Sequence, residues 1–198
     1  KRECPTGVDM SKMKIEIANL RAKKFGLDIH SKLVAFLPYY ASFASKFSFI
    51  MNLRDKIPGL PKLSEIFFGF SAKRPLPQWR RDYFRNNEIP NTINNIDQRI
   101  PVILFVDTFN RYYEPENVRS AIKVLEKAGY FPFIPTPKNP NKILCCGRTF
   151  LSNGLIDNAK VEANHIIDTF LPYLKQGISI VGLEPSCILS FRDELPTL

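Results

Sequence analysis

The 198 residues, 44% hydrophobic and 24% charged, suffice for one sizeable core and exclude a disordered or low-complexity protein. The net charge of +9 is one-sided: residues 1–100 carry 18 Lys and Arg against 9 Asp and Glu, residues 101–198 carry 10 of each. The basic half reads as solvated helices, or as a surface for an acidic partner domain or an anionic membrane. No basic–aromatic recognition module is visible, so nucleic acid is not an expected partner.

The chain opens at Lys1-Arg2-Glu3-Cys4-Pro5 with no initiator methionine, and is expected to be a fragment. From Met10 to about Phe25 the spacing of Met13, Ile17 and Leu20 predicts a helix, broadened by Ile15 and Ala18 and stopped at Gly26. Residues 29–53 read as a second helical region, interrupted near Pro38. Its charge-free run, 33–45, is too short for a bilayer span of about 20 residues. The aromatic stretch that follows Pro38 suits burial against another part of the protein, or an interfacial helix. Residues 56–100 are proline-rich and polar and read as a linker with short helices near Leu63–Phe68 and Trp79–Phe84, placing a boundary near Arg99.

Beyond it the pattern alternates. Val102–Val106 is a continuous apolar run and hence a buried strand, followed by a loop at 107–114 and a helix begun by Pro115 and ended at Gly129. Tyr130–Ile134 and Ser179–Gly182 read as further strands, Gly154–Lys175 as a long helix, and Pro185 to about Leu195 as the last one. Strands alternating with helices predict a parallel α/β sheet of Rossmann-like type, preceded by an α-helical connector. In such sheets ligands collect beyond the carboxyl ends of the strands. Three loops leave such ends: Asp107–Tyr113, Cys145–Arg148 and Glu184–Cys187.

These loops carry three of the four cysteines. Cys145 and Cys146 are adjacent and cannot readily bridge each other, so the thiols make a poor disulfide framework. A reducing, cytosolic setting with metal-binding thiols is the better reading. Gly147 allows the sharp turn that would let both thiols approach metal, and Cys187 falls in the first turn of its helix, where thiolate is favoured. Soft thiolates select iron–sulfur clusters or zinc. Free cysteines are also ordinary core residues, and His30 and His165 read as packed or surface side chains. No phosphate-cradling glycine loop or dinucleotide fingerprint follows the Val102 strand.

The segments "VDTFNRYYEP", "LCCGRTFLSNGLIDNAK" and "VGLEPSCILSFRDELP" resemble the cysteine-rich CCG module. That module occurs in heterodisulfide reductase, in the iron–sulfur subunits of glycolate oxidase and anaerobic glycerol-3-phosphate dehydrogenase, and in FAD-linked D-2-hydroxyacid dehydrogenases of the D-lactate and D-2-hydroxyglutarate type. The spacing fits, with 36 residues between Thr108 and Cys145 and 36 between Gly147 and Glu184. The ligands depart from it: Asp107-Thr108 replaces the leading Cys, and Glu184 replaces the first Cys of the final pair.

The resemblance implies that Cys145, Cys146 and Cys187 bind a 4Fe-4S cluster, with Glu184, Thr108 and Arg148 beside it. Cys4-Pro5 looks like the tail of a ferredoxin-type 4Fe-4S run whose other cysteines lie upstream. The implied layout is a truncated ferredoxin tail (1–9), a helical connector and linker (10–99) and the first CCG repeat (100–198). The implied protein oxidises a D-2-hydroxy acid at FAD, in a flavin domain of the same protein, and passes electrons through Fe-S clusters. Its partners would be that flavin domain, the ferredoxin domain and a missing second CCG lobe. Cytoplasmic location, contact with the cytoplasmic face of the membrane, and self-association of the chain are further expectations. The contrasting reading is a degenerate CCG scaffold that binds zinc or another protein without redox activity.

Overall fold

In the computed structural model the described residues are Pro5, 7–93, 98–139 and 142–198. Cys4, the residue expected to end a ferredoxin-type run, lies outside them. Three parallel strands form the sheet, in the order β2-β1-β3: β1 Ile100–Phe105, β2 Tyr130–Phe133 and β3 Ser179–Gly182. Ile100 pairs with Tyr130 and Ile103 with Phe133 on one side, and Val102 with Ser179 and Phe105 with Gly182 on the other. The predicted α/β parallel architecture is thus observed.

The central strand is covered on both faces, which is why it reads as an unbroken apolar run. Successive side chains alternate between faces. Ile103 and Phe105 pack with Phe133, Ile166, Phe170 and the three cysteines of the carboxyl-end loops. Leu104 and Val106 pack with Val118, Ile134, Phe84 and Ile89.

Ten helices surround the sheet among the described residues. The amino-terminal group comprises α1 Met10–Phe25, α2 Ile29–Ala35, α3 Leu37–Lys46, α4 Ser48–Met51 and α5 Leu60–Phe68. The strands are linked through α6 Thr108–Tyr112, α7 Pro115–Lys127, α8 Arg148–Ser152 and α9 Ile156–Leu174, and the last is α10 Pro185–Ser190. Two of these, α6 and α8, occupy segments whose helical content the periodicity did not predict. Each is only five residues long, too short to show a repeat. The terminal helix stops at Ser190, earlier than the expected Leu195.

The helix expected at Trp79–Phe84 does not form. Its backbone is engaged elsewhere: Trp79 N–H donates to Asn52 Oδ1, Arg80 N–H to Tyr112 O and Phe84 N–H to Arg111 O. Phe84 N–H, which a helix over these residues would need for its bond to Arg80 O, is committed to Arg111 O instead. Phe84 and Ile89, within the stretch read as linker, are buried against β1 and α7. Trp79 packs with Tyr112 against α3.

Helix α1 also differs from expectation. Met13, Ile17 and Leu20, the predicted buried stripe, are exposed, whereas Ile15, Ala18, Asn19 and Ala22 are half-buried. The reason is close approach. A Cβ on Gly154 would lie 2.3 Å from the Ala18 carbonyl carbon and 2.4 Å from Asn19 N, so α1 rests directly on this glycine. The small side of the helix faces inward and the larger apolar residues are left outside. Phe43, Phe49, Ile66 and Phe67 are likewise exposed on α3–α5. No helix among the described residues is long and apolar enough to cross a membrane.

Candidate metal centre

The three strands end on one side of the sheet, and their loops converge there. At the end of β1, Asp107 caps α6, accepting from Phe109 N–H and Asn110 N–H, with Thr108 buried beside it. Past β2, the chain returns at Leu144-Cys145-Cys146 and turns at Gly147, whose φ of +74° starts α8. That turn also requires the absence of a side chain: a Cβ on Gly147 would sit 3.3 Å from Ala159 Cα and 3.4 Å from Glu162 Cβ on α9. Beyond β3, Pro185 begins α10 and places Cys187 inward.

All three cysteines are buried as free thiols. Cys146 Sγ lies 3.0 Å from Cys187 Sγ. Cys145 Sγ accepts from Gly147 N–H at 3.4 Å and has Thr108 Oγ1 at 4.0 Å. The shell around them is aromatic: Phe105, Phe133 and Phe170 are buried with them, and Phe191 stacks edge-on to Phe105.

The hydrogen bond to Cys146 and then burial hold the Cys145 thiol well above the ordinary cysteine range. Cys146 is drawn down by its hydrogen bond with Cys145. Its contact and electrostatic interaction with Cys187, together with burial, outweigh that and push it up to about 12. Both are therefore neutral thiols near pH 7, and any soft metal entering must expel their protons.

The donor set suits thiophilic metal: clustered, buried sulfurs and one backbone N–H aimed at one of them. The sulfurs are nevertheless drawn together. Two thiolates on one tetrahedral zinc stand about 3.8 Å apart, given Zn–S of ~2.3 Å. Cys146 and Cys187 must therefore part from their 3.0 Å contact before a metal can enter between them. Among the described residues, no group of three or more His, Cys, Asp or Glu side chains is set out as a ready cage for a metal ion.

The remaining expected site residues are placed less directly. Glu184 is the N-cap of α10, its Oε1 accepting from Ser186 N–H at 3.2 Å and Ser186 Oγ–H at 2.7 Å. Its carboxylate is thus engaged in holding the helix start. Arg148 pairs with Glu194 at 2.9 Å.

One group escaped the sequence reading. Glu162 on α9 is fully buried directly behind Gly147, accepting from Tyr39 O–H at 2.7 Å and paired with Lys142 Nζ at 2.9 Å. The signal was available: Glu162 interrupts the Ala159–Ala163–Ile166–Phe170 stripe that faces the core. An acidic residue on a buried stripe requires a partner.

Comparison with curated proteins gives distant relatives along nearly the whole chain. Over an alignment of 201 positions that covers 97% of its length, it is 24% identical to D-2-hydroxyglutarate dehydrogenase of Escherichia coli K12 and 25% identical to that of Pantoea ananatis. It is 23% identical over 156 residues, 78% of its length, to one of the subunits of anaerobic glycerol-3-phosphate dehydrogenase of Escherichia coli K12. The match covers 19% of each of the two D-2-hydroxyglutarate dehydrogenases and 38% of the glycerol-3-phosphate dehydrogenase polypeptide. No family profile and no solved structure matches the chain.

Proposed function

We propose, from the premise that this chain is a relative of one region of D-2-hydroxyglutarate dehydrogenases, that it is the iron–sulfur electron-transfer region of a flavin-linked oxidoreductase acting on a D-2-hydroxy acid. The observation that carries the reading is the meeting of Cys145, Cys146 and Cys187, from two loops 41 residues apart, in one buried, aromatic-rich cluster at the end of the sheet.

In this reading those three thiolates hold a 4Fe-4S cluster, which supplies a one-electron carrier. The chain's own residues set its environment. Gly147 N–H, directed at Cys145 Sγ, offsets negative charge on that ligand, and Phe105, Phe133, Phe170 and Phe191 keep water away. Thr108 stands next to Cys145 where the related module has a cysteine, so the fourth ligand comes from a second lobe of the full-length protein or from an open position. Glu184 fixes the start of α10 and thereby Cys187, while Arg148, already paired with Glu194, is a weaker source of positive charge. Cys4 serves a ferredoxin-type cluster completed by the adjoining domain, and FAD sits in the flavin domain. The exposed aromatic face of α3–α5 is the contact surface for those parts or for self-association.

The test is Cys187→Ser in the full-length protein, purified without oxygen. Iron and electron transfer to an external acceptor are expected to fall together, while reduction of the flavin by the hydroxy acid persists. Unchanged iron content would remove Cys187 from the ligand set and defeat the reading.

A further inference from the structure

The contact between Cys146 and Cys187 carries a consequence that does not depend on any metal. Their sulfurs are 3.0 Å apart, about 1 Å more than the ~2.05 Å of a disulfide bond. The two residues sit on separate loops, one following β2 and one following β3, so a bond between them would tie together two of the three loops that form the pocket. Cys145 is excluded from pairing with its neighbour by the strain of bridging adjacent cysteines. Its sulfur is turned instead toward Gly147 N–H and the Thr108 hydroxyl. No other cysteine among the described residues is present.

We propose that Cys146 and Cys187 form a reversible disulfide when the metal-free site meets a peroxide, leaving Cys145 as the free thiol of the three. With a peroxide, one cysteine sulfur attacks an oxygen, the O–O bond breaks, and a sulfenic acid and one water result. The second sulfur then attacks the sulfenic sulfur, releasing a second water as the S–S bond forms. Two thiols lose two protons and two electrons, and the peroxide takes them up. The product withdraws two of the three thiols from any metal, so the pocket has a reduced, loadable state and an oxidised, closed one. Both sulfurs are almost fully buried, so closure is slow and favours small uncharged oxidants. A bond between residues 41 positions apart also constrains the unfolded chain strongly, which makes the oxidised fold more resistant to unfolding than the reduced one.

The test uses the reduced, metal-free chain carrying Cys4→Ser, treated with hydrogen peroxide, then alkylated with N-ethylmaleimide after denaturation. Peptide mass analysis is expected to find Cys146 joined to Cys187 with loss of two hydrogens, and Cys145 alkylated. Dithiothreitol should restore three alkylatable thiols, and the oxidised chain should unfold at higher urea than the reduced one. Cys145→Ser is expected to leave closure intact, while Cys146→Ser and Cys187→Ser each abolish it. A crosslink that includes Cys145, or three alkylatable thiols after prolonged oxidation, overturns the proposal. Either result leaves the iron–sulfur reading standing, just as a chain that never takes up iron can still close.

Discussion

Replacing Glu162 with alanine is expected to lower the stability of the metal-free chain by about 3 kcal/mol or more, the range seen when one partner of a buried ion pair is removed. Glu162 is fully buried, and its Oε1 receives both the Tyr39 hydroxyl and the Lys142 ammonium. Without the carboxylate, the hydroxyl loses its partner and the lysine loses its countercharge. The Lys142 side chain keeps 24% of its surface, so it recovers part of its hydration, which holds the loss toward the lower end. For a chain of this size the melting temperature should fall by roughly 6–12 °C. Glu162→Gln keeps the shape and a hydrogen-bond acceptor for Tyr39 while giving up the charge, and is expected to cost about 1–3 kcal/mol. Urea unfolding of the three proteins checks the order. A loss below ~1 kcal/mol for the alanine variant would show that water already reaches the pair, as it does for exposed ion pairs.

Gly147→Ala is expected to damage both fold and site. The residue has φ +74°, and its new methyl would lie 3.3 Å from the backbone of Ala159 and 3.4 Å from Glu162 Cβ. Left-handed backbone costs an L-residue about 1–2 kcal/mol, and crowding against a packed helix adds a comparable amount, for about 2–4 kcal/mol in all. Relief of the clash has to move the loop, since Ala159 and Glu162 lie within α9. Cys145 and Cys146 move with it, and the Gly147 N–H bond to Cys145 Sγ is stretched from 3.4 Å. On the proposed iron–sulfur function, the full-length Gly147→Ala protein should therefore hold less iron than the parent even at temperatures where both are folded. Iron content alongside a thermal melt separates the two effects. A folded variant with full iron content would mean that the turn, as such, does not position the thiols.

Much of the α/β half was legible because its signals are local. Strand β3 runs over Ser179–Gly182 as expected, and β1 shows the continuous hydrophobicity of a strand buried on both faces. Pro115 and Pro185 open the helices they were expected to open. The candidate site was legible for a related reason: in a parallel sheet the loops after the strands must lie on one side, so three cysteines in such segments are drawn to one end.

What sequence could not supply was set by contacts between distant segments. Trp79–Phe84 gives its backbone donors to Asn52, Tyr112 and Arg111, partners that no local pattern reveals. Helix α1 turns its small residues inward because Gly154, more than a hundred positions later, lets its backbone approach within contact distance. Periodicity fixed that α1 is a helix, but its Met13–Ile17–Leu20 stripe pointed to the wrong face. Glu162 became part of the pocket's support only when Tyr39 and Lys142 arrived beside it from other parts of the fold. The composition, strand order in the chain and cysteine spacing were thus written locally. Which thiol touches which, and what stands behind them, followed from long-range packing, where burial decides the partners of each polar group.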